Sequence, residues 1–167
     1  MEEAMPKVAI IMGSKNDFSV IKPALAILDS FGIERVVRVL SAHRTPDEAH
    51  TLAKNAQTDG IEVIIGCAGK AAHLAGVLAA GTILPVIGLP IKSSTMDGLD
   101  SLLSTVQMPT GIPVATVAIN GSENAALLAT QILALKYPHL QQALQEYKEN
   151  MRQKILSDDK ALQDEII

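Results

Sequence analysis

The sequence predicts a three-layer αβα sandwich, a doubly wound, parallel five-stranded sheet with one extra helix at the C-terminus. Three observations point there. Five short apolar runs recur along the 167 residues, segments of helical periodicity separate them, and Gly, Pro or Ser stands at most of the junctions. Runs that are apolar throughout, with no alternation, suit strands covered on both faces.

The first run is KVAIIM (7–12), ending at Gly13. A helix follows, with Ile21, Leu25, Leu28 and Phe31 at helical spacing and Gly32 as its stop. Pro23 falls inside that helix, where its ring and missing N–H predict a kink. RVVRVL (35–40) alternates more and ends at Ser41. The next helix starts near Thr45 or Asp47, carries Ala49, Leu52, Ala53 and Ala56, and runs to Gly60. IEVIIG (61–66) is the third run, and 71–80 is a helix of small residues. LPVIGLP (84–90) is the fourth, 98–107 a helix, and GIPVATVAI (111–119) the fifth. Pro85 and Pro113 sit at the starts of their runs, where a lost N–H matters least.

After a helix over 121–135, Pro138 opens the extra one, over about 138–156, with Leu140, Leu144, Tyr147, Met151 and Ile155 spaced by threes and fours. That stripe packs either on its own domain or, as an arm, on a neighbouring subunit. Residues 157–167 read as a frayed tail. The whole chain, 1–167, is expected to form one domain with its core over about 7–135.

Composition excludes several function classes. Hydrophobic residues are 48% and charged residues 19%, which rules out intrinsic disorder. A net charge of −4 provides no basic field for nucleic acid or an anionic membrane. With 2% aromatics and no Trp, base stacking has no platform. A chain so apolar and so poor in aromatics is expected to bury surface in an oligomer. The single cysteine, Cys67, excludes an internal disulfide and a multi-cysteine metal site, and fits a reducing cytoplasm. The opening MEEAMPK is acidic and unlike a signal peptide. Residues 71–91 carry no formal charge, but Pro85, Pro90 and three glycines divide them into a helix and a buried strand, so no membrane span is expected.

In a doubly wound sheet, ligands bind beyond the carboxyl ends of the strands. The loops there read GSKND (13–17), SAHRT (41–45), CAGKAAH (67–73) and PIKSST (90–95). None carries G-x-G-x-x-G, the P-loop pattern or a nucleophile elbow, so dinucleotide, nucleoside-triphosphate and serine-hydrolase sites are not expected. Ser14 either caps the first helix or meets an anion there, and Asp17 either suits the first turn or accepts from sugar hydroxyls. Arg44 offers the planar fork that fits phosphate, with Ser41 and Thr45 as further donors. His43, beside them, is the type of side chain that exchanges protons near neutrality. His73 either lines the same crevice or sits in the core. His50 and His139 look like helix-surface residues, and no His-x-x-x-His pattern or carboxylate cluster suggests a metal. The residues alone lead to a cofactor-free α/β protein for a small phosphorylated ligand, in which His43 either does acid–base chemistry or only satisfies backbone groups in a polar turn.

The stretches MGSKND, VLSAHRTPDE, CAGKAAHLAG, LPVIGLP, GLDSLLSTVQMPTGIPVATVAI and NAALLATQIL, in that order over most of 7–135, closely resemble the N5-carboxyaminoimidazole ribonucleotide mutase family, PurE of purine biosynthesis, in its class I form. The resemblance implies a flavodoxin-like fold, a cytoplasmic homo-octamer with sites at subunit contacts, and no metal or organic cofactor. It implies a small ribonucleotide substrate, held by Ser14, Asp17 and Arg44 with Ser41 supporting the phosphate, and His43 as general acid/base. Gly69, near His73, would supply backbone N–H groups beside the carboxyl group or carbon dioxide, and His73 would be a further substrate-binding residue. Three positions depart from the family pattern: Lys70 stands where Gly is expected, Ala75 where Pro is usual, and Pro23 lies within the first helix. The alternatives left open are direct carboxylation of aminoimidazole ribonucleotide by carbon dioxide, a non-catalytic nucleotide-binding module, and a purely structural oligomer.

Overall fold

A computed structural model describes residues 5–166. Four of the apolar runs become strands with close to the expected bounds: β1 (Lys7–Met12), β2 (Glu34–Val39), β3 (Val63–Gly69) and β4 (Val86–Ile91). The fifth, β5, is shorter than expected, because only Ala115–Thr116 pairs with Ile87 and Gly88 of β4. It forms the sheet edge, and Pro113 has no N–H to extend the ladder. All pairings are parallel and the order is β2-β1-β3-β4-β5, the flavodoxin-like arrangement.

The helices are α1 (Phe18–Ser30, after a 3-10 turn at Lys15–Asp17), α2 (Pro46–Asn55), α3 (Leu74–Ala80), α4 (Leu99–Val106), α5 (Ser122–Leu133) and α6 (Pro138–Ile166). α1 continues through Pro23, which lies exposed on it. Successive residues of β1 point to opposite faces. Val8, Ile10 and Met12 join Ile21, Leu28 and Leu133 in a core under α1 and α5, while Ala9 and Ile11 join Ala53, Leu74 and Leu78 under α2 and α3. Both sides of the sheet are therefore filled, which is why its central strands read as unbroken apolar runs.

Glycines set the closeness of two layers. A Cβ on Gly66 would stand 2.8 Å from the Ala75 Cα, and one on Gly88 would stand 2.3 Å from the Thr105 Cγ2. α3 and α4 thus rest directly on the backbones of β3 and β4.

α6 differs most from expectation. It runs beyond 156 to Ile166, so the expected frayed tail is helical as far as the described residues reach; Ile167 lies outside them. The ion pair Lys154–Asp158 at helical spacing ties this part to the turn before it, where Arg152 pairs with Glu149. Only the first turns pack on the chain's own core: Leu140 is buried, Leu144 and Tyr147 are half-buried, and the Tyr147 ring lies 5.8 Å from that of Phe31. Met151, Ile155, Leu162 and Ile166 continue the apolar stripe in solvent.

Candidate active site

The carboxyl ends of β1 to β4 open onto one cleft of about 610 Å³. Ser14, Asp17, Ser41, His43, Arg44, Gly69 and His73, all seven residues anticipated from the sequence, line it. The two remaining histidines lie on helix surfaces, His50 on α2 and His139 on α6.

The loop after β2 is built around Ser41. Its Oγ accepts hydrogen bonds from the backbone N–H of His43 (3.3 Å) and Arg44 (3.2 Å), and from Arg44 Nε (3.4 Å). Thr45 closes the turn from the other side, its Oγ1 accepting from Ser41 N at 2.8 Å and donating to Ser41 O at 3.2 Å. Pro46 then starts α2, where a missing N–H costs nothing. Because Ser41 Oγ accepts in these contacts, its own hydrogen is left to donate. Arg44 is tied down as well, its Nη2 donating to Gly13 O at 3.0 Å. A guanidinium fixed in this way keeps its remaining donors for an anion without first having to be ordered.

The two cleft histidines meet. His43 Nε2 lies 2.8 Å from His73 Nδ1, and the rings stand edge to face at 80°. Such a contact requires one nitrogen to carry the proton and the other to offer its lone pair. His43 comes from the loop after β2 and His73 from the turn before α3, so the contact joins the loops on either side of β1.

Ser14 combines both readings open to it: its Oγ accepts from Asn16 N at 3.2 Å, capping the 3-10 turn, while the residue lines the cleft. Asp17 is half-buried at the start of α1, and burial pushes its carboxyl above the usual carboxylate range, with a backbone hydrogen bond at Ser14 opposing. Cys67 is fully buried, which raises its thiol far above the ordinary range, with the Asp17 charge adding to the effect. It is the small buried apolar residue the sequence suggested. Among the described residues, no group of three or more His, Cys, Asp and Glu is placed to hold a metal ion. No helix among them is long and apolar enough to cross a membrane.

Sequence reasoning singled out the loop after β4 but none of its residues. Lys92, Ser93 and Ser94 line the cleft. Ser93 is buried and donates to the Asp100 carboxylate, 2.9 Å from each oxygen. Asn120, at the end of the fifth run, accepts from Lys92 N at 2.8 Å through Oδ1 and donates its own N–H to Pro90 O at 2.9 Å. The only advance signal was the position of PIKSST after an apolar run.

Comparison with known proteins adds to this geometry. The family model described as AIR carboxylase matches residues 7–154. The N5-carboxyaminoimidazole ribonucleotide mutase of Pyrococcus abyssi is 58% identical over 148 residues, covering 89% of this chain and 85% of that one. The mutase of Thermotoga maritima is 55% identical over 159 residues, covering 95% and 93%. Among solved structures, PurE of Treponema denticola superposes with a TM-score of 0.86 at 32% identity, covering 94% of this chain and 98% of that one.

Proposed function

This chain belongs to the AIR carboxylase family, and from that premise we propose that it is an N5-carboxyaminoimidazole ribonucleotide mutase of purine biosynthesis. It moves a carboxyl group from the exocyclic nitrogen of the aminoimidazole to ring carbon C4. The observation that carries the assignment of roles is the pairing of His43 with His73 inside the cleft that also gathers Ser14, Asp17, Ser41 and Arg44.

In this reading Arg44 and the Ser41 hydroxyl hold the phosphate, and Asp17 and Ser14 hold the ribose. His43 gives a proton as the carbamate loses carbon dioxide. C4 of the electron-rich imidazole attacks the trapped carbon dioxide, and His43 then removes the C4 proton to restore aromaticity. The group that donates in the first step is left ready to accept in the last. The 2.8 Å contact with His73 suits that cycle, because it keeps one proton on a defined line between the rings. Enclosure retains the released carbon dioxide and strengthens charge interactions. We infer that a neighbouring subunit supplies part of it in a homo-octamer, with the apolar stripe of α6 laid across that neighbour. A cytoplasmic setting accords with the lone thiol of Cys67.

The test is direct. Purified protein is mixed with fresh N5-carboxyaminoimidazole ribonucleotide, without bicarbonate or added metal, and formation of the C4-carboxylated product is followed. Product well above the uncatalysed background is expected. Product only from aminoimidazole ribonucleotide with high bicarbonate would replace the mutase by a direct carboxylase. Saturable binding without turnover in either assay would leave a nucleotide-binding module.

A further inference from the structure

Among the described residues, three that are not glycine adopt positive φ: Lys70 at 58°, Asp97 at 52° and Asn120 at 58°. Short polar side chains tolerate this conformation because they bond locally. Asn120 does so with Lys92 N, and Asp97 pairs with the Lys92 ammonium at 3.2 Å. Lys70 has no such compensation. It lies exposed and makes no side-chain hydrogen bond or ion pair with any described residue. Yet it lines the cleft, on the same turn that brings His73 to His43. A lysine held where glycine fits best, at a ligand cleft, points to work for its charge.

The charges of the cleft show which work. Its lining cations are Arg44, Lys70 and Lys92, and its one lining carboxylate is Asp17. Lys92 is paired with Asp97. Arg44 follows β2 and Lys70 follows β3, with β1 between them in the sheet. Arg44 is anchored to Gly13 O at the end of β1 and to the Ser41 hydroxyl, so Lys70 is the lining cation that pairs with no described residue, on the other side of β1 from β2.

Resting on the mutase reading, we propose that Lys70, on the β3 side of the cleft, is the specificity-determining cation for the substrate's carboxyl group. An ammonium on a flexible stem is a compact charge with rotatable donors, so it follows a carboxyl group that shifts from nitrogen to carbon. A rigid guanidinium fork would fix that group in one place. Lys70 takes no part in proton transfer in this scheme. It orients the migrating group beside His43.

The experiment compares two nucleotides that differ only in the carboxyl group. For Lys70→Met, KM for N5-carboxyaminoimidazole ribonucleotide should rise about tenfold, the scale of one charge-assisted contact. The Kd for aminoimidazole ribonucleotide should stay at the wild-type value. Lys70→Arg should restore part of the loss in KM. Lys70→Gly should show the same loss while melting no lower than wild type, which separates the charge from the strained backbone. Equal weakening of both nucleotides would move Lys70 to the phosphate, and an unchanged KM would make it a bystander; either result overturns the proposal. Wild-type protein that fails to turn over the carboxylated nucleotide at all would instead overturn the mutase reading, and this assignment with it.

Discussion

His43 Nε2 and His73 Nδ1 lie 2.8 Å apart although 30 residues separate them in the chain. Neither ring reaches the other through local structure. β1 lies between the strands that deliver them, and the loops after β2 and β3 lean together over its end.

His43→Asn should lower turnover by about 10²–10⁴-fold, the usual scale for a positioned acid–base group, while nucleotide binding holds. Titration calorimetry beside the product assay checks both halves. His73→Phe keeps a ring but removes the facing nitrogen, and should lower kcat by about tenfold with KM little changed, whereas His73→Asn should recover part of that loss. An unaltered kcat in His73→Phe would remove the pair from the mechanism.

Arg44→Ala should weaken nucleotide binding by about 1.5–3 kcal/mol, as expected for a lost charge-assisted contact. The loss should vanish when the ligand is the nucleoside without its phosphate. Arg44→Lys keeps the charge but loses the anchored fork, so it should recover only part.

Asp17 links the site to stability through pH. Its folded carboxyl is held above the usual range by burial, so the folded chain retains a proton that the unfolded chain releases. Its contribution is fully present below the unfolded value and is lost as pH rises through the folded one. Asp17→Asn should therefore melt above wild type at neutral pH, by a margin that partial solvent screening keeps small, and near wild type at strongly acid pH. The same variant should bind the ribonucleotide less tightly. Melting curves at the two pH values, paired with a binding isotherm, decide both points.

Gly66→Ala should destabilise the fold by about 1–3 kcal/mol, since the new Cβ would meet the Ala75 backbone at 2.8 Å. A backbone contact cannot rotate away, so α3 must shift, and His73 at its start would shift with it. Urea denaturation measures the first effect and kcat the second.

The stripe Met151, Ile155, Leu162 and Ile166 predicts the assembly behaviour. On the proposal that this stripe is covered by a neighbouring subunit, Ile155→Glu together with Leu162→Glu should lower the sedimentation coefficient relative to wild type while leaving the far-ultraviolet spectrum unchanged. Neither residue packs on the chain's own core, so the subunit fold has little to lose.

Four strands were legible in the sequence, and three of them are buried on both faces, whereas the edge strand β2 is not. β1, β3 and β4 have no solvent side and so carry no polar alternation to confuse the pattern. The fifth run was over-read because apolar content does not reveal an edge. Val117 and Ile119 are only half-buried, and two residues suffice for the ladder. The end of α6 was under-read for the converse reason. SDDKALQDEI packs nothing on the chain's own core, yet the Lys154–Asp158 ion pair and good helix formers carry the helix on.

By itself the sequence determined the alternation of strands and helices and the chemical types at the strand ends. Those follow from local periodicity and from the short reach of turn and cap interactions. The tertiary structure alone decided that His43 meets His73, that the Ser41 hydroxyl turns inward to hold its own loop, that Asn120 pins the loop after β4, and that Lys70 sits in a left-handed turn at the cleft. These depend on the order β2-β1-β3-β4-β5, which sets which loops are neighbours. Each strand's apolar pattern is satisfied by a neighbour on either side, so strand order is fixed only when all the helices pack at once.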